Sequence, residues 1–87
     1  MNIYVGNLDF KVNEKDLTEV FEEYGEVSSV KIITDKFSGR SKGFGFVTME
    51  DQAEAKKAIN ELNGTSIQNR QIVVNEAKPK KTSYNKY

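Results

Sequence analysis

Residues 42–49 read Lys42-Gly43-Phe44-Gly45-Phe46-Val47-Thr48-Met49. In an extended chain successive side chains point to opposite faces. Lys42, Phe44, Phe46 and Thr48 then share one side, and Gly43, Gly45, Val47 and Met49 share the other. Two steps of ~3.3 Å put Phe44 and Phe46 about 7 Å apart, pointing the same way. The glycines point away from the rings, where a helix is expected to approach closely. Met49 on that side is suited to filling core. The stretch therefore predicts a strand with one packed face and one face that carries rings.

Outward from it, the chain alternates strand and helix. Asn2–Leu8 alternates Ile3 and Val5 against Asn2 and Tyr4, the pattern of a half-buried strand. Asn13 is a good helix N-cap and Gly25 a good stop, and Leu17, Val20, Phe21 and Tyr24 fall at i, i+3, i+4, i+7 between them. Val27–Thr34 is a second strand, and the polar stretch Lys36–Ser41 turns at Gly39. After the octamer, Asp51 caps a helix with Glu54 completing a capping box. Ala55, Ala58, Ile59 and Leu62 repeat the apolar stripe, Asn63-Gly64 ends it, and Gln71–Ala77 is the last strand. Strand-helix-strand occurs twice. Interleaved, the two units make an α+β, βαββαβ sandwich of ferredoxin-like form: a four-stranded antiparallel sheet with both helices on one face. The other face stays bare. Alternation assigns it Asn2, Tyr4 and Gly6; Lys31 and Ile33; Lys42, Phe44, Phe46 and Thr48; and Val73, Asn75 and Ala77. A monomer seldom exposes several large apolar side chains together without a use for them.

Composition narrows the chemistry. An 87-residue, 9.9 kDa chain with 37% hydrophobic and 30% charged residues is one small domain, neither disordered nor membrane-embedded. No apolar run approaches the roughly 18–20 residues that span a bilayer, and Asp9 and Lys11 interrupt the first apolar stretch too early for a secretory leader. With no cysteine and no histidine, the usual metal ligands and the commonest general base are missing. Neither metal nor cofactor is expected. Glu22-Glu23 and Glu50-Asp51 fall on a helix surface or at a cap, with nothing placed opposite them, so no enzymatic activity is expected. The net charge is zero but segregated: residues 1–26 hold seven acids and two bases, residues 27–49 one acid and four bases, and residues 65–87 one acid and five bases.

The octamer fits the pattern K/R-G-F/Y-G/A-F-V-x-F/Y at seven of eight positions, Met49 being the departure. Together with Ile3-Tyr4-Val5-Gly6-Asn7-Leu8 on the first strand, it resembles the two signatures of the RNA recognition motif family. The resemblance spans residue 2 to about residue 78, including Val30-Lys31-Ile32 leading to Asp35, Gly39-Arg40-Ser41, and Ile72–Ala77. More weakly, the chain is similar to the small single-domain bacterial members. The resemblance implies that single-stranded RNA is the partner, with single-stranded DNA as an allowed substitute, because flat rings stack on any base while a duplex hides its bases. Tyr4, Phe44 and Phe46 would be the stacking platform. Lys42, Lys31 and Arg40 would hold phosphates. Asn75, main-chain groups near Ala77, and Lys78 would read base edges, with Asn2 beside them; Arg70 would lie on or beside the same face. The domain is expected over residues 1–78 with a basic, flexible tail over 79–87, in a monomer. A post-transcriptional regulator or RNA chaperone-like factor is implied, cytoplasmic if bacterial, with a nucleus or organelle left open. The alternatives are a protein-interaction domain on the same fold, a cold-shock-like barrel suggested by KGFGFV, and an acylphosphatase-like enzyme. The barrel is all-β and typically carries an early Trp, whereas this chain has no Trp and two capped helices; the enzyme needs a phosphate loop that Gly6-Asn7-Leu8-Asp9 does not supply.

Overall fold

A computed structural model describes residues 1–77. The elements are β1 (Asn2–Gly6), α1 (Glu14–Glu22), β2 (Ser29–Thr34), β3 (Ser41–Thr48), α2 (Gln52–Leu62), β4 (Ser66–Ile67), β5 (Arg70–Gln71) and β6 (Val73–Glu76). The main sheet has the order β2-β3-β1-β6, and its pairs are antiparallel. Alternation holds along it. Ile3, Val5, Val47, Met49, Ile72 and Val74 are buried with Leu17 and Phe21 of α1 and with Ala55, Ala58 and Leu62 of α2. Met49 is a core residue, as its place in the octamer predicts. Both helices cover this face, and the fold is the expected α+β sandwich.

The helix ends hold two corrections. At α1, Asn13 accepts from the Asp16 N–H at 2.8 Å and Asp16 accepts from the Asn13 N–H at 3.2 Å, a reciprocal capping box. At α2, Asp51 accepts from the Glu54 N–H at 2.9 Å, but Glu54 does not return the bond. Its side chain lies over Gly25 instead, where a Cβ would run into it. The helix of which Gly25 was expected to be the stop ends at Glu22. Gly25 thus leaves room for a side chain from the opposite helix.

The glycines of β3 are corrected too. A Cβ on Gly45 would strike the carbonyl of Lys31 and come within 3.0 Å of Ile32 Cα. It is the neighbouring strand that approaches, and no helix. Gly43 has φ +89°, open to glycine and strained for other residues. There β3 bulges, spending two more residues than β2 between the pairs Ile32–Gly45 and Thr34–Ser41. Beside the bulge Glu14 Oε2 accepts from the Ile32 N–H at 3.1 Å, so α1 supplies a bond to the edge strand β2.

The β4–β5 hairpin has no counterpart in the sequence reading. Gln68 and Asn69 turn it with φ of 52° and 69°, left-handed at both central positions as in a type I′ turn. Glycine normally marks such turns, and neither residue is glycine. Asn63 ties the region down: its Oδ1 accepts from the Val74 N–H at 2.9 Å.

Candidate nucleic-acid interface

The helix-free face is built from the outward residues of four strands. Tyr4 on β1 stands opposite Phe46 on β3 and opposite Asn75 on β6, and Phe46 stands opposite Lys31 on β2. Ring centroids are 6.0 Å apart for Tyr4–Phe44, 5.9 Å for Tyr4–Phe46 and 6.2 Å for Phe44–Phe46. The two contacts of Phe46 are edge-on, at interplanar angles of 64° and 89°. Tyr4 leans along its own strand over Gly6, where a Cβ would sit 2.5 Å from its hydroxyl. The platform is therefore a triangle of mutually packed rings. Tyr4 and Phe44 are half-buried in it, and Phe46 is the most open at 36% exposed.

Polar groups surround the triangle. Lys31, Lys42, Asn75 and Asn2 are exposed. Asn2 Oδ1 accepts the Thr48 hydroxyl at 2.9 Å, which leaves its Nδ2 group to donate outward. The Ala77 N–H is already bonded to the Asn2 carbonyl at 2.9 Å, so that donor is not offered to a ligand. Val73 is 41% exposed on the same face and extends its apolar surface.

Arg40 lies off the sheet, in the β2–β3 loop. Asp35 organises that loop: its Oδ1 accepts from the Phe37 N–H at 2.8 Å and the Ser38 N–H at 3.1 Å, its carbonyl accepts from Gly39, and its N–H donates to the Arg40 carbonyl. The Ser38 and Phe37 N–H groups, and less strongly the Lys42 ammonium, hold the Asp35 carboxyl below its ordinary value. The loop presents Phe37, 98% exposed. Lys78 lies outside the described residues.

Charge is divided between front and back. Asp16, Glu19 and Glu23 line a groove of about 480 Å³ with Val20 and Leu62 on the helix side. At the Leu8 end of the sheet, a cleft of about 320 Å³ is lined by Tyr4, Phe44, Lys42, Asn7, Phe10 and Arg70 among others, none of them acidic. Of these, Phe10 carries no mark in the sequence. It lies on a loop, where no periodicity marks a functional ring. Among the described residues no helix is long and apolar enough to cross a membrane, and no cluster of three potential metal ligands occurs.

Known proteins resemble this chain in sequence and in fold. A protein of Synechocystis, RbpA, provisionally named as RNA-binding, is 51% identical over 80 residues, covering 92% of this chain and 79% of its own. The crystal structure of the RNA-binding protein PG1 superposes with a TM-score of 0.87 at 51% identity, over 92% of this chain and 99% of that one. A solved Sxl-lethal protein–RNA complex superposes with a TM-score of 0.85 at 28% identity, over 90% of this chain and 47% of that one. The RNA recognition motif model matches residues 3–73, from the first buried residue of β1 to the first residue of β6. With both signature strands adjacent in the sheet and their three rings on its bare face, the chain belongs to the RNA recognition motif family.

Proposed function

We propose that this chain binds single-stranded RNA across the bare sheet face, with bases stacked on Phe46, Phe44 and Tyr4. The observation that carries the reading is the ring triangle, with centroids about 6 Å apart, on the one sheet face that no helix covers. Lys31 and Lys42 neutralise phosphates from either side of the rings, and Arg40 does so from the loop. Asn75, the Asn2 amide and the Ala77 carbonyl are the groups suited to base edges, joined by Lys78 where the chain continues. Single-stranded DNA is accepted through the same stacking. The RNA-binding names of PG1 and RbpA, and the RNA held by the Sxl-lethal relative, support the reading. A protein partner on this face finds less support, since all three rings and the flanking cations suit a polyanion.

We assign the domain to residues 1–78 and a basic tail to 79–87, in a non-enzymatic monomer. Its role is that of a post-transcriptional regulator or RNA chaperone-like factor in a bacterial type of cytoplasm. Titration of a labelled RNA with the wild type and with Phe44→Ala/Phe46→Ala tests the proposal. The double variant should lose nearly all affinity, and duplex RNA should bind more weakly than its separated strands. Equal affinity of duplex and single strands would refute stacking as the mechanism.

A further inference from the structure

The cleft at the Leu8 end of the sheet adjoins the ring triangle but is built by other elements. Leu8 and Val12 are buried on either side of Phe10, and Asp9 closes the turn between them, accepting from the Lys11 N–H at 2.8 Å and the Val12 N–H at 3.0 Å. Phe10 is thus held outward on an anchored loop and is 68% exposed. A single exposed ring is ordinary on a protein surface, but Phe10 lines one cleft with Tyr4 and Phe44 and so extends the apolar surface of the triangle.

Across the cleft, Arg70 is held in place from a distant part of the chain. Its Nη2 donates to Asn7 Oδ1 at 2.8 Å, while Asn7 Nδ2 donates to the Gln71 carbonyl. The acceptor is a neutral amide, so the bond orients the guanidinium without cancelling its charge. Asn7, at the end of the hydrogen bond from Arg70, has left-handed backbone with φ 57°, and the type I′ turn at Gln68 and Asn69 carries Arg70 to it.

We propose that this cleft is a further nucleotide subsite, in which Phe10 takes a base and Arg70 takes the adjoining phosphate of the strand that runs off the platform. The proposal rests on the RNA-binding reading above and extends it by one position. Three observations choose the occupant. The cleft shares Tyr4 and Phe44 with the platform, so a strand leaving those rings enters it directly. Its charged lining residues, Lys42 and Arg70, are both cationic, in contrast to the acid-lined groove behind the helices. At about 320 Å³ it lies at the small end of ligand-sized clefts, roughly 300–1,000 Å³.

The test is a length series of randomised single-stranded oligoribonucleotides, from a trimer, about what the rings alone can stack, to an octamer. Wild type, Phe10→Ala, Arg70→Ala and Phe46→Ala are compared, each checked for cooperative unfolding. Wild-type affinity should rise as the oligonucleotide outgrows the platform. Phe10→Ala and Arg70→Ala should match wild type on the trimer within about twofold and fall about fivefold or more behind on the longer RNAs, the equivalent of one lost stack. Asn7→Gly, which keeps the left-handed backbone and removes Arg70's acceptor, should behave as a weaker Arg70→Ala. A length profile parallel to wild type for Phe10→Ala or Arg70→Ala overturns the subsite. Phe46→Ala binding every length like wild type instead defeats the platform itself.

Discussion

Truncation of Phe46 to alanine separates binding from folding most sharply, because this ring is the most exposed of the three. In RNA binding it offers one stacking face, worth about 1–3 kcal/mol, so affinity should fall about 5- to 150-fold. Its part in stability can be worked from its contacts. Phe46 packs edge-on against Tyr4 at 5.9 Å and Phe44 at 6.2 Å, and an aromatic pair contributes roughly 0.5–1.5 kcal/mol beyond its buried area. Two such contacts, with the part of the ring they cover, on a surface partly open to water, give a cost of about 1–3 kcal/mol. That exceeds what a fully exposed ring would imply, yet it falls short of the ~3–5 kcal/mol expected for Phe21→Ala, whose ring is fully buried. The assay pairs urea unfolding, for the midpoint at constant slope, with fluorescence anisotropy on a labelled single strand, corrected for the folded fraction. Unchanged affinity per folded molecule would refute the stacking role. A stability loss equal to that of Phe21→Ala would refute the assignment of Phe46 to the surface. Because Phe44 and Phe46 touch, the double alanine variant should be non-additive in stability.

Gly45→Ala should destabilise by about 1–3 kcal/mol, since its Cβ meets the fixed backbone of Lys31 and Ile32; denaturation of this variant within about 0.5 kcal/mol of wild type would contradict the close strand approach. Binding should weaken with salt even though the net charge is zero. Two to four neutralised phosphates give a log–log slope of roughly −1.4 to −2.8 for single strands, and a flat line would mean that Lys31, Lys42 and Arg40 are mere solvated charges. The β2–β3 loop should respond to acid alone. The Asp35 carboxyl is held below its ordinary value of 3.8 in the folded loop, so its charged form stabilises the loop above that value and the contribution is lost as pH falls below it. Amide NMR shifts of Phe37 and Ser38 should stay level from neutral pH to near 4 and move only below, and titration of these amides above pH 5 would contradict the Asp35 bonds.

Much of the molecule was legible in its residue order because the signals are periodic and local. Alternation along residues 42–49 separates Phe44 and Phe46 from Val47 and Met49 wherever the strand lies in the sheet. A 3.6-residue stripe through Leu17 and Phe21 likewise names the buried side of α1 before its partner is known. Asn13 and Asp51 act within three residues of themselves. These features depend on backbone geometry that each segment carries with it.

What the tertiary structure alone decided comes from atoms distant in sequence. Gly25 and Glu54 are tied by contact between the turn after α1 and the first turn of α2, where Glu54 leaves the expected capping box unclosed and the glycine makes room for it. Gly45 is required by the Lys31 carbonyl of the next strand, and a period-2 pattern says which face a residue takes but not how near the neighbouring backbone comes. The hairpin at Gln68-Asn69 lacks the glycine that marks such turns, and hydrogen bonds with Asn7, just after β1, hold it. Arg70 lines one cleft with Phe10, Tyr4 and Phe44, and its hydrogen bond to Asn7 closes over 63 positions of chain. Residue order determined the strands, the helices and the ring-bearing face, since each follows from local period and capping. The mutual packing of the rings, the charge division between front and back, and the cleft beside Tyr4 arose only when long-range pairing set those segments side by side.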